Sequence, residues 1–114
     1  MRSTDEWVPA EGYRLMLRAV WRGAVVAESE RCQKVEGNWY FPPNCLIKRY
    51  FRLSSTRTKC SWKGTAHYYH LVVSGLENTD GAWYYPRTKL GASHIKTWVA
   101  FWRGVEIQGE KLKD

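Results

Sequence analysis

The chain has 114 residues, 44% of them hydrophobic, and a formal net charge of +7, which fits one globular domain with one core. Its apolar runs are far too short for a membrane-spanning helix, so a membrane protein of the helical kind is excluded. The opening residues Met1, Arg2, Ser3, Thr4, Asp5 and Glu6 hold no apolar stretch of the sort a signal peptide needs, which makes a cytoplasmic location the expectation.

Residues 1–12 lack periodicity and contain Pro9 and Gly12, so they read as an arm leading into a β-rich domain over residues 13–110, with a short tail at 111–114. Residues 15–21 alternate apolar and polar positions, Arg22 and Gly23 interrupt, and residues 24–27 resume, which predicts a hairpin turned on glycine. Val35, Glu36, Gly37 and Asn38 form the next turn signal, and the strand of Trp39, Tyr40 and Phe41 that follows is stopped by Pro42 and Pro43. Residues 44–50 fit one or two helical turns. Residues 54–59 are polar and β-branched without apolar periodicity and read as a loop. Residues 65–74 make the strongest strand. Gly75 turns it, residues 78–81 form another turn, and residues 82–85 form a short strand ended by Pro86. A second short helix fits residues 92–97. Trp102, Arg103 and Gly104 then repeat the earlier Trp-Arg-Gly turn, which predicts a second hairpin. Without a long amphipathic helix anywhere, the fold class is mainly β, a small antiparallel domain with one or two short helices.

Seven Trp and seven Tyr stand against three Phe, so nearly every ring carries an N–H or O–H that needs a partner when buried. Cys32, Cys45 and Cys60 are an odd set without a Cys-x-x-Cys spacing, which reads as reduced thiols, one disulfide among them remaining open, and predicts neither a disulfide framework nor a metal site. No cofactor is predicted. Between Gly37 and Leu76 there is no Asp or Glu, while Lys48, Arg49, Arg52, Arg57, Lys59 and Lys63 all fall there, so the middle of the chain carries a positive field.

Several of these segments, taken in order, resemble one known family: Val35-Glu36-Gly37-Asn38 with Tyr40-Phe41-Pro42, then Cys60 with Trp62-Lys63-Gly64 and Tyr68-Tyr69, then Ala82-Trp83-Tyr84-Tyr85-Pro86, then Ile95-Lys96 with Val99-Ala100-Phe101. Over about residues 17–107 the chain is similar to the domain of unknown function 427 family, which also carries a nucleotidyltransferase label. The resemblance implies an antiparallel β-tent fold of the kind shared with B-type methionine sulfoxide reductases and several zinc-binding modules. It implies no reaction. The chain has no paired-carboxylate metal motif and no phosphate-binding glycine loop followed by Lys-Ser or Lys-Thr. The zinc ligands of the related modules have no counterpart in its three cysteines. Where the family has Pro between its Cys and Trp, this chain has Ser61.

The segment Cys60-Ser61-Trp62-Lys63-Gly64 places a thiol, a stacking surface, a cation and a permissive backbone within one turn. Neighbouring lysines would lower the Cys60 pKa and favour its thiolate, which makes Cys60 the candidate catalytic residue. Glu36 is the one candidate general base. In a strand, Trp83 and Tyr85 face one way and Tyr84 the other. His67 and His70 likewise point to opposite faces. The leading expectation is a pocket for a small anionic or nucleotide-like ligand, with Lys63 as charge partner, Gly64 admitting close approach, Trp62 and Trp83 as walls, and Tyr40, Tyr68 and Tyr84 as rim. The alternatives are a single-stranded nucleic-acid or acidic-partner module built on residues 48–63, a redox protein using Cys60, and a scaffold whose aromatic patch joins copies of the chain.

Overall fold

The structure, a computed structural model, describes residues 13–113, and the expected arm at 1–12 lies outside them. Nine strands form three antiparallel sheets among the described residues. The first sheet has the order β2-β1-β9, from β1 (Tyr13–Trp21), β2 (Ala24–Ser29) and β9 (Glu106–Lys113). A small hairpin pairs β3 (Gln33–Val35) with β4 (Asn38–Tyr40). The largest sheet has the order β5-β6-β7-β8, from β5 (Phe51–Cys60), β6 (Gly64–Val73), β7 (Leu76–Tyr84) and β8 (Val99–Phe101). Among the described residues, helical structure is confined to three 3-10 segments, at Pro43–Cys45, Lys48–Tyr50 and Leu90–Ile95. The fold is therefore mainly β, as the periodicity predicts.

The period of two decides what each face of the large sheet buries. Leu71 and Val73 of β6, Ala82 of β7, and Val99 and Phe101 of β8 join Leu17, Ala19 and Val26 of the first sheet in one core. Ala66 and Tyr68 of β6 and Ala100 of β8 point the other way, into a second core with Tyr40, Tyr85, Ala92 and Ile95. Phe41 bridges the layers, exchanging two backbone hydrogen bonds with Val99 at 2.7 and 2.8 Å, so that neighbouring Tyr40 and Phe41 enter different cores. This crossing carries the β3–β4 hairpin up against the second core.

Four local expectations are corrected. Residues 54–59 are not a loop but lie within β5, where the register with β6 shifts between Leu53 and Arg57, and where Arg57, Thr58 and Lys59 pair with His67, Ala66 and Thr65. As an edge strand β5 is exposed on most of its length, so it shows no apolar alternation. Residues 78–81 do not turn the chain. They lie within β7, where the register shifts between Tyr69 and Leu71 of the neighbouring strand and Asp80 takes a φ of +55°. The second Trp-Arg-Gly turn links strands of different sheets, since β8 pairs with β7 and β9 pairs with β1. Finally, β9 continues through Lys113 opposite Tyr13, where a tail from residue 111 was expected.

Candidate functional site

The turn between β5 and β6 brings Cys60, Trp62 and Lys63 onto the second core. The β3–β4 turn meets it with Glu36, whose φ of +51° is followed by Gly37 at +81°, a tight two-residue reversal. Lys63 donates from Nζ to the Glu36 carboxylate, and Trp62 donates from Nε1 to Glu36 Oε2 at 3.3 Å. The ammonium of Lys63 also lies 4.9 Å from the centre of the Trp62 ring and 6.0 Å from that of Tyr85. Lys63 is buried, with a relative exposure of 6%, whereas Trp62 is at 38%. Residues from two turns and from the end of β7 thus close around one charged side chain.

The ionisation of the cluster follows from its contacts. Burial pulls the Lys63 pKa down, but the hydrogen bond to Glu36, with the charges of Tyr40, Glu36 and Cys60, outweighs it and leaves the ammonium firmly protonated. Lys63 is no base here. The Cys60 thiol is held below the ordinary cysteine value, chiefly by the backbone N–H of Lys63, then against some desolvation by the N–H of Trp62 and the Lys63 charge. Burial pushes the other two thiols the opposite way, Cys32 to about 12 and Cys45 to about 11. All three cysteines are free. Burial also raises the phenols of Tyr40 and Tyr85, so both keep their protons at neutral pH. The Tyr40 oxygen accepts from Trp83 Nε1 at 3.2 Å, with the two rings edge to face and centroids 6.2 Å apart. The site therefore offers a thiol whose ionisation is eased by a cradle of backbone donors, a fixed ammonium beside it and two protonated phenols.

The expected ligand pocket is divided by the structure. Trp62, Lys63 and Gly64 share the β5–β6 turn, and Tyr40 meets Trp83 in the second core. Tyr68 belongs to the same core, but its hydroxyl pairs with Thr58 Oγ1 at 2.7 Å and its ring stacks on Trp102. Tyr84 faces the other core, stacked on Tyr69 at 4.6 Å, as the alternation of β7 requires. On β5, Arg57 stands opposite His67, whose ring packs on Tyr84. Phe51 packs against Tyr69 and Phe101 in the first core, and Arg52 and Arg57 donate to nearby backbone carbonyls. Among the described residues, no three His, Cys, Asp or Glu side chains are grouped to hold a metal ion.

One polar cluster escapes a reading of the sequence. Asp80, nearly buried in the bulge of β7, accepts from Ser54 Oγ at 2.5 Å and Thr56 Oγ1 at 2.8 Å, while its own N–H donates to His70 Nδ1 at 3.0 Å and its carbonyl accepts from Trp102 Nε1 at 2.6 Å. The signal was present as Asp80-Gly81 within a strongly β segment, but that dipeptide is the ordinary mark of a turn. His70 Nδ1 meets the Asp80 backbone N–H and Ser54 donates to the carboxylate, so Asp80, His70 and Ser54 do not form a nucleophile–base relay. The cluster fixes β5 to β7 instead.

Comparison with curated proteins returns no match. Comparison with family profiles returns one described as Domain of unknown function (DUF427), aligned over residues 10–111 and thus over the turns carrying Glu36, Cys60, Trp62 and Lys63, as well as Tyr40, Trp83 and Tyr85. The chain belongs to the domain of unknown function 427 family.

Proposed function

We propose that the surface over the β5–β6 turn binds a small ligand and that Cys60, as a thiolate, acts on it. The observation carrying this reading is the convergence of Cys60 and Lys63 from one turn with Glu36 from the β3–β4 turn and Tyr85 from just past β7, the cysteine accepting from the backbone N–H groups of its own turn. A structural lysine would not need to be buried on a carboxylate beside the one low-pKa thiol among three cysteines. In this reading Lys63 stabilises the thiolate and Glu36 holds Lys63 in place. The Tyr85 phenol, which burial keeps protonated beside Cys60, donates a hydrogen bond rather than a proton. Trp62 supplies the half-exposed stacking wall. Lys63 is thereby moved from ligand charge partner, the role its sequence position suggests, to a positioning residue.

The experiment is alkylation of the folded chain with iodoacetamide, read residue by residue by mass spectrometry. Cys60 is expected to react well ahead of Cys32 and Cys45 below neutral pH. A Cys60 that stays unmodified until the chain unfolds would remove the thiolate from the site.

A further inference from the structure

Gly64 borders a second feature, a groove of about 550 Å³ whose lining includes Gly64, Thr65, His67, Arg87, Thr88 and Lys89. That volume is within the range of small-molecule sites. The lining carries three basic side chains and no carboxylate. Its wall is fixed by backbone contacts rather than by chance surface packing. The N–H of Lys89 donates to the Lys63 carbonyl at 3.2 Å, and Lys89 Nζ donates to the Ser61 carbonyl at 2.6 Å. The Arg87 carbonyl sits so close to Gly64 that a Cβ there would lie 2.8 Å from it. Residues 87–89 are thus strapped to the β5–β6 turn, and their side chains are presented from a held backbone.

The charges of this groove are unanswered. Arg87 is exposed and makes no ion pair among the described residues. Lys89 gives one of its three ammonium donors to Ser61 and keeps two. Arg57 and Lys59 stand across the ladder from His67 and Thr65, adding positive potential from the neighbouring strand. Burial, and then the Arg57 charge, hold His67 below its ordinary pKa, so at neutral pH it is an uncharged donor and acceptor. Two threonine hydroxyls complete a set of donors with no competing acid.

We propose that this groove binds the phosphoryl group of a small ligand, with Arg87 making the bidentate contact and Lys89, Thr65 and Thr88 completing the oxyanion shell. A guanidinium fork matches two phosphate oxygens, and an uncompensated cation on a fixed backbone loses little freedom on binding. The inference stands apart from the chemistry assigned to Cys60, and the labelling of that thiol is read separately.

The test is calorimetric titration of the full chain with pyrophosphate, for the unmodified protein, Arg87→Ala and, as a control, Lys48→Ala on an exposed 3-10 segment away from the lining. The expected result is saturable binding with a dissociation constant tighter than about 1 mM, weakened about tenfold or more by Arg87→Ala and less than about twofold by Lys48→Ala. Absence of saturable binding to the unmodified chain overturns the proposal. So does a smaller loss in Arg87→Ala, or an equal loss in both variants, which would mark general attraction to a basic surface. Arg87 is exposed, so its truncation leaves the fold intact.

Discussion

Lys63 and Glu36 form an ion pair across 27 residues of sequence, and the two ends of that pair live in different media: side-chain exposure is 7% for the lysine and 55% for the glutamate. The asymmetry sets the cost of breaking it. In Lys63→Met the carboxylate returns to water, where it is well solvated. In Glu36→Gln the buried ammonium keeps its charge and loses its counterion. Thermal unfolding of the two variants at neutral pH is expected to show the larger loss, several degrees more, in Glu36→Gln. A larger loss in Lys63→Met would place the stabilising weight on packing of the lysine stem instead.

The leading cause of the low Cys60 pKa is the backbone N–H of Lys63, with the side-chain charge a smaller contributor. Two consequences can be separated by the pH dependence of alkylation. The midpoint for Cys60 in the unmodified chain is expected below the ordinary cysteine value of 9.0. In Lys63→Met the midpoint rises, yet it stays below that value, because the donors of the turn remain. A midpoint that returns fully to the ordinary value would make the ammonium, not the turn, the agent.

Tyr40 and Trp83 give a test of the second core that does not involve charge. Tyr40→Phe keeps the ring and removes the acceptor of the Trp83 N–H. The expected cost is about 1–2 kcal/mol in chemical denaturation, with an unchanged denaturant slope. A neutral substitution would mean that water reaches the indole nitrogen.

Much of this arrangement is legible in the sequence. The opposed directions of Trp83 and Tyr84, and of His67 and His70, follow from the pleat alone, and the structure places Trp83 with Tyr40 but Tyr84 with Tyr69. The turns at Gly23, Gly37 and Gly75 all carry positive φ, as glycine placement suggests. Strand β5 is not legible, because an edge strand exposed along both faces shows no burial period to read. Asp80 is not legible either, since its positive φ lies inside a strand and its partners, Ser54 and Thr56, belong to a polar segment without apolar periodicity. The Glu36–Lys63 pair depends on the β3–β4 hairpin lying over the second core, a tertiary fact that no local pattern encodes.

Gly64 tests how tightly the β5–β6 turn is held. Its φ is +126° and an added Cβ would meet the Arg87 carbonyl at 2.8 Å, whereas Gly23, at +78°, has open space around it. Gly64→Ala carries both backbone strain and a clash, an expected loss of roughly 2–3 kcal/mol, against roughly 1 kcal/mol for Gly23→Ala, which has strain alone. Because the clash involves the strap that shapes the groove, Gly64→Ala should also weaken pyrophosphate binding while Gly23→Ala leaves it unchanged. Equal stability losses at the two sites would show that residues 87–89 yield without cost.

Asp80 makes the stability of the large sheet depend on pH. Burial pushes its pKa up, but the Ser54 and Thr56 hydroxyls and the nearby positive charge outweigh this and leave the folded value below the ordinary one. A carboxyl whose folded pKa is depressed stabilises the fold at pH above its unfolded value, ~3.9, and loses that contribution as pH falls through the folded value. Asp80→Asn is the suitable variant, since asparagine tolerates the positive φ and isolates the charge from the backbone. At neutral pH it is expected to cost about 2 kcal/mol, the worth of hydrogen bonds to an ionised acceptor. As the pH is lowered past ~4, the difference between the unmodified chain and Asp80→Asn should shrink, because the unmodified carboxyl is then being protonated as well. Denaturant unfolding of both proteins across this range measures the difference directly. A gap that stays constant down to strongly acid pH would mean that Asp80 contributes through shape rather than charge, and that its two hydroxyl partners hold β5 to β7 equally well around a neutral group.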